Sequence, residues 1–270
     1  MGGSYAQAFS LKGYEVGAVA RRQETIDYGL ENGLISSGVT EVTREYVEKF
    51  DIIVFALYPH TFIEWIEKYQ DYFHPGVLLT DVTGVKESVV YKVQSILRED
   101  VEFVGAHPMA GREVSGVKYA TKDIFKGANY IVTPTEKNTG EAIEACKEIG
   151  RTLGCKTIKT LSPKEHDEMI GFLSQLTHCI AVSLMVCKES EHLVDYTGDS
   201  FRDLTRIARI NDEMWSELFL LNKEELLRQM DLFSEKFNEL RSYIENDDRE
   251  GMRDIMRLAT KRRGFFDKNK

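Results

Sequence analysis

Gly2-Gly3-Ser4-Tyr5-Ala6-Gln7-Ala8-Phe9-Ser10-Leu11-Lys12-Gly13-Tyr14-Glu15-Val16-Gly17-Ala18-Val19-Ala20-Arg21-Arg22 follows Met1, and its reading decides the fold. The pattern predicts a helix over Tyr5–Lys12, closed by Gly13, then an apolar strand over Tyr14–Ala20. Arg21-Arg22-Gln23-Glu24-Thr25 leads into another helix. Helix, turn and second strand are the later half of a βαβ dinucleotide-binding unit, in which a strand and a G-x-G-x-x-G loop come first. Gly2 takes the place of the last glycine, the one that lets helix and strand pack closely. Gly2, Gly3 and Ser4 are thus expected cofactor contacts. The first strand and the two pyrophosphate-facing glycines would lie before Met1. Two readings stand: Met1 is an internal residue read as a start, or the sheet lacks its first strand. In the second case unpaired buried backbone is costly, and rearrangement or a strand from another chain would relieve it.

The end of the second strand bears on the cofactor. An acid there holds the ribose 2′-hydroxyl of NAD, whereas arginine accommodates a 2′-phosphate. Ala20-Arg21-Arg22 has no acid, so NAD or NADP stays open with a lean to NADP. The competing reading makes Arg21 and Arg22 ordinary surface charges.

Outward from this stretch, strands and helices alternate. Asp51–Leu57 is a continuous apolar run, expected for a strand buried on both faces. Tyr58 and Pro59 end it beside a helix over Thr61–Tyr69 and are expected near the cofactor. Val77–Asp81 is a strand and Glu87–Ile96 a helix. Ala128–Pro134 is a strand, Thr139–Leu153 a helix capped by Gly154, and Cys155–Leu161 a last strand. This order predicts a Rossmann-like, doubly wound parallel sheet over residues 1–161. Ser162-Pro163-Lys164-Glu165 starts a helix with an N-cap and a first-turn proline. No strand is expected beyond it, so residues 162–270 form an all-helical substrate and dimerisation domain.

The 270 residues suit two domains, and 42% hydrophobic with 29% charged residues fits a globular protein. A net charge of −9 argues against nucleic acid as a partner. Cys146, Cys155, Cys179 and Cys187 lack metal-type spacing, so no metal is expected and free thiols in a reducing cytoplasm are the better reading. No apolar run is judged to reach the ~20 residues that span a bilayer, and no basic leader precedes a hydrophobic stretch, so neither membrane nor secretion is expected.

Val104-Gly105-Ala106-His107-Pro108-Met109-Ala110-Gly111-Arg112-Glu113-Val114-Ser115-Gly116 carries the chemistry. Proline forbids helix at the preceding residue, so His107 is held extended at a strand end, where such sheets present their active groups. Histidine titrates near neutrality and suits a base that takes a proton as a substrate is oxidised. For a lone histidine a structural role is the more common outcome; the surroundings reverse that here. The run resembles the His-Pro-Met-Ala-Gly signature of prephenate and arogenate dehydrogenases, the oxidoreductases of tyrosine biosynthesis.

Further stretches carry the resemblance. Asp81-Val82-Thr83-Gly84-Val85-Lys86 is similar to the family's Asp-x-x-Ser-Val-Lys, whose serine helps hold the catalytic histidine and the substrate hydroxyl. Gly84 occupies the serine position, so the hydroxyl comes from Thr83, from water, or is missing; Asp81 is placed on the cofactor side. Lys86 is either a helix-start charge or a ligand contact. Ser174-Gln175-Leu176-Thr177-His178 resembles Ser-x-Leu-Pro-His in a long helix over Glu165–Lys188, apolar nearly all round and therefore buried in its domain or against a second subunit. His166 and His178 lie ~3.3 turns apart and can face one cleft. Asp199-Ser200-Phe201-Arg202-Asp203-Leu204-Thr205-Arg206-Ile207-Ala208 resembles the signature whose last arginine binds the ring carboxylate of prephenate, against a plain salt bridge to Asp203. Asn211-Asp212-Glu213-Met214-Trp215 completes the match.

The resemblance implies an NAD(P)-dependent oxidative decarboxylation of prephenate, or of arogenate, in a cytoplasmic homodimer. His107 is the base with Thr83 and Gly84 beside it. Gly111, Arg112, Glu113, Gln175, His178, Arg206 and Trp215 are the expected substrate side. Other readings are a related β-hydroxyacid or imine-reducing dehydrogenase, a cofactor-defective binding or regulatory relative, and a purely structural dimerisation protein.

Overall fold

A computed structural model describes residues 1–112, 114–189 and 191–267, the side chain of Glu191 excepted. The chain divides after Asn222 into two compact units.

In the first unit, β1 (Gly17–Val19) and β2 (Ser37–Val39) form a two-stranded parallel sheet. Strands β3 (Ile52–Phe55), β4 (Leu78–Asp81), β5 (Glu102–Pro108), β6 (Asn129–Thr133) and β7 (Thr157–Thr160) form a second sheet in that order. The expectation of an all-parallel sheet needs one correction: β6 runs antiparallel to β5, with His107 opposite Ile131. Between them the described residues form only the 3-10 turns Val117–Tyr119 and Lys122–Phe125, and an antiparallel neighbour needs no crossover helix. The side of β1 away from β2 and the side of β3 away from β4 have no strand partner among the described residues. Gly17, Ala18 and Val19 of β1 and Ile53 of β3 line a cleft there with Tyr46, Phe50 and Trp65.

Alternation along the strands sends side chains to two cores. Leu79 and Phe103 pack with Phe62 and Ile66 of α4 (Pro59–Tyr69) and Val89, Val90 and Val93 of α5 (Glu87–Ile96). Leu78, Val104 and Ala106 pack on the other face with Tyr5 and Ala8 of α1 (Gly2–Ser10) and Cys146 and Ile149 of α6 (Gly140–Leu153). Helix α6 shows why the boundaries fall where they do. Thr139 Oγ1 accepts the Ala142 amide at its start, and Gly154, left-handed at φ 82°, ends it. Between α1 and α6 in the chain lie the helices α2 (Gln23–Glu31) and α3 (Arg44–Val47) as well as α4 and α5.

After β7, Ser162 and Glu165 form a reciprocal capping box for α7 (Pro163–Ile170). The helix continues through a π-helical turn, Gly171–Leu176, into α8 (Thr177–Val186), followed by α9 (Asp199–Thr205) and α10 (Asp212–Leu221). The helix Pro163–Val186, with an 18-residue window of mean hydropathy 1.7, is long and apolar enough to cross a membrane by length and composition, which corrects the expectation that no segment reaches that size. Its His166, Asp167 and Gln175 are nevertheless buried with protein partners.

The second unit is a helical hairpin, α11 (Lys223–Glu245) and α12 (Arg249–Arg263). Asp247 turns the chain at φ 53°, and Asp248 Oδ1 caps α12 by accepting the Gly251 amide. Leu227, Met230, Phe233 and Phe237 form an exposed apolar stripe along α11.

Candidate active site

The sheet delivers His107 as the sequence predicts. It is the penultimate residue of β5, and Pro108 follows it at the strand end. The ring is partly exposed, and its Nδ1 lies 2.9 Å from Nε2 of His166 in the first turns of α7. His166 Nδ1 lies 2.7 Å from Asp167 Oδ1. The Asp167 carboxylate also accepts the backbone amides of Lys86 and Glu87, each at 2.8 Å, and so caps α5 from outside that helix. Burial, the neighbouring His166 and the Lys86 ammonium hold His107 well below the usual histidine range. Burial and Lys86 push His166 down to about 3. Burial pushes Asp167 up to about 6 against the lowering effect of its backbone donors and Lys86.

Beneath this row lies a buried ion pair. Lys86 Nζ contacts Asp81 Oδ2 at 2.5 Å and Thr83 Oγ1 at 3.1 Å, and both charged side chains are fully buried. Asp81 Oδ1 accepts the Ala106 amide, one residue before the histidine. Thr83 Oγ1 donates to Asp81, with Val85 O also within reach. Two expectations change here. Thr83 does not stand in for the missing serine hydroxyl, because its own hydroxyl is buried and committed. Asp81 does not face a cofactor, because its carboxylate braces β4 against β5.

Gly84 has room: a Cβ there would meet only Leu218 of α10, at 3.4 and 3.7 Å. Leu218 O accepts from Gln175 Nε2 at 3.0 Å, and Gln175 Oε1 accepts from Asn222, which also donates to Asp167 O. Gln175 is therefore a strut between the π-helical turn and α10 rather than a lining side chain, another revision of the sequence reading. Inserted residues in a π-helical turn re-phase the helix beyond it. Here that turn precedes His178, whose ring lies 3.8 Å from that of Trp215. Arg206 is exposed at the start of a 3-10 turn that packs on α8. Gly111 and Arg112 are exposed in the loop after β5, and Glu113 lies outside the described residues.

On the cofactor side, α1 begins at Gly2, where a Cβ would come 3.1 Å from Ala56 just after β3; one on Gly3 would come 2.9 Å from Ala120. Side-chain-free residues are required at that close approach. Ser4 is buried, and its hydroxyl accepts the Thr121 amide, so it fastens a loop instead of meeting a ligand. Arg21 and Arg22 stand exposed beyond β1, Pro59 is buried at the start of α4, and Tyr58 Oη accepts from Asn211. Glycines at a helix start and guanidinium groups past β1 fit a dinucleotide. Among the described residues no cluster of three metal-ligating side chains occurs.

Asp167 is the site residue that sequence reading misses outright; it reads His166 only as able to share a cleft with His178, and Lys86 as a helix-start charge or a ligand contact. The N-cap at Ser162 and the proline after it put His166 and Asp167 near a helix start, but nothing local points them at His107, 59 residues before His166.

A twisted sheet with helices on both faces, a glycine-started helix and a histidine at a strand's carboxyl end define a dinucleotide-fold dehydrogenase. The prephenate dehydrogenase nucleotide-binding domain matches residues 6–159, and the prephenate dehydrogenase dimerization domain matches residues 162–258. The chain belongs to the prephenate dehydrogenase family. It is 34% identical over 188 residues to a prephenate dehydrogenase of Bacillus subtilis, covering 66% of this chain and 50% of that protein. With the Lactococcus lactis enzyme of the same name it shares 30% identity, covering 81% of this chain and 61% of the relative. The chain thus spans about half to three fifths of the length of these curated relatives. The crystal structure of Aquifex aeolicus prephenate dehydrogenase with hydroxyphenyl propionate and NAD+ superposes with a TM-score of 0.89 at 29% identity, covering 99% of this chain and 95% of that one.

Proposed function

We propose that the chain oxidatively decarboxylates prephenate to 4-hydroxyphenylpyruvate with NAD or NADP. The observation that carries the reading is His107 at the β5 terminus, with Nδ1 tied to His166 and, among the described residues, no hydrogen bond recorded at Nε2. In this reading Nε2 accepts the proton of the ring C4 hydroxyl. The nicotinamide, when bound, supplies the hydride acceptor for C4. Arg206 grips the ring carboxylate that leaves as carbon dioxide, because a guanidinium offers a planar two-point contact. His178 and Trp215 position the ring, with Arg112 of the loop after β5 on the substrate side and Glu113, by its place in the sequence motif, assigned there too. Positioning is most of what the protein supplies, since aromatisation drives the loss of the carboxylate. The test is turnover of His107→Asn, which should lose kcat with KM little changed; arogenate in place of prephenate identifies the substrate.

Arg21 and Arg22 favour NADP over NAD, with no acid in Ala20-Arg21-Arg22 at the end of β1 to repel a 2′-phosphate. Residues 1–161 serve the dinucleotide and 162–270 the substrate and a second copy, in the cytoplasm. The dimerisation description of the family's second part and the apolar stripe of α11 support a homodimer.

A further inference from the structure

We infer that Asp167, acting through His166, sets the ring tautomer of His107 and leaves its Nε2 bare. This rests on the proposed role of His107 as the base.

The argument starts at the carboxylate. Asp167 takes two backbone amides at the start of α5, on different oxygens, and the helix dipole there favours the anion. An ionised carboxylate only accepts, so the His166 Nδ1 that sits 2.7 Å from Oδ1 carries the hydrogen. A neutral imidazole bears one N–H, and the Lys86 ammonium near this ring opposes a second. His166 Nε2 is then an acceptor. His107 Nδ1, 2.9 Å away, must donate to it, since two bare nitrogens would otherwise face each other. The one hydrogen of neutral His107 is thereby spent on Nδ1, and Nε2 keeps its lone pair. Reverse any link and Nε2 acquires a proton and cannot act as a base.

His166 and Asp167 are positioning residues, as the outer partners of metal-bound or catalytic histidines commonly are. The geometry also explains why Asp167 sits in a helix of the second half while its carboxylate caps α5. One side chain joins the sheet, the helix start and the base in a single orientation, and Asn222 holds its backbone carbonyl at 3.0 Å.

The experiment is nitrogen-detected NMR of the histidine rings in the full chain at pH 7.5, assigned with His107→Gln and His166→Gln. Both rings should be protonated at Nδ1 and bare at Nε2. In Asp167→Leu the acceptor at His166 Nδ1 is gone, so the fixed tautomers of both rings should be lost, and kcat for prephenate should fall by about 10²–10⁴-fold with KM nearly unchanged. Wild-type His107 protonated at Nε2 would overturn the inference, and that spectrum decides even if the variant does not fold. So would Asp167→Leu with wild-type tautomers or wild-type kcat. Predicted tautomers in a protein that does not oxidise prephenate would leave the relay standing and remove the functional reading instead.

Discussion

Replacing Lys86 with methionine tests the construction of the site most severely. Lys86 and Asp81 are both fully inaccessible, and their contact is 2.5 Å. Methionine fills most of the lysine stem's volume but leaves Asp81 as a buried charge. Its remaining donors are the Ala106 amide at 3.0 Å and the Thr83 amide and hydroxyl. Breaking a buried pair by removing one member typically costs about 3–5 kcal/mol. That is roughly a 10²–10⁴-fold shift in the unfolding equilibrium at about 1.4 kcal/mol per decade. Urea unfolding followed by the fluorescence of Trp65 and Trp215 measures it. The double variant Lys86→Met with Asp81→Asn removes the stranded charge and should recover at least half the loss. A second signal comes from His107. Lys86 opposes its protonation, so the single variant should raise the pKa of this ring in an NMR titration. A loss below about 1 kcal/mol, against the 3–5 typical of broken buried pairs, or a double variant no better than the single, would refute the argument that this pair braces β4 against β5.

Gly84→Ser should fold normally, because its Cβ meets only ordinary contacts with Leu218, and should raise kcat if the added hydroxyl reaches the substrate; steady-state kinetics and thermal melting check both parts. Arg206→Ala should mainly raise the KM for prephenate, and unaltered prephenate binding by calorimetry would remove its assignment. Acid stability carries a defined sign. The His166 pKa falls from 6.5 to about 3 on folding, so the unfolded chain binds the extra proton and stability is lost as pH drops from 6.5 towards 3. Asp167 acts oppositely: its pKa rises from 3.8 to about 6, which favours the folded state as pH drops through that window. His166→Gln removes only the first effect. Between about pH 6 and 4 its stability should therefore fall less steeply than wild type, by about 1.4 kcal/mol per pH unit; equal slopes in denaturant titrations would contradict it.

The sequence made the frame legible where apolar runs were long or caps were strong. Helix α5 lies at the predicted residues, and the Gly154 cap and the Ser162 N-cap behave as written. Strand β2 escaped because Ser37-Gly38-Val39 is too short and too small to read as a strand. The antiparallel pairing of β6 escaped because strand direction depends on the connection and not on the strand's own residues. His107 was legible from Pro108 and its motif. Its partners were not, since tertiary folding alone brings α7 to β5. Ser4, Asp81, Thr83 and Gln175 mark the opposite error. A polar side chain near a strand end or helix looks the same in sequence whether it meets a ligand or braces the backbone, and only burial separates the two.

The central claim is tested most directly by mixing the chain with prephenate and either NAD or NADP, following nicotinamide reduction by absorbance and carbon dioxide release in parallel. The account predicts both signals in equal amounts, abolished together in His107→Asn, with NADP the better acceptor. No reduction of either cofactor with a folded protein, or reduction that His107→Asn leaves intact, would contradict it.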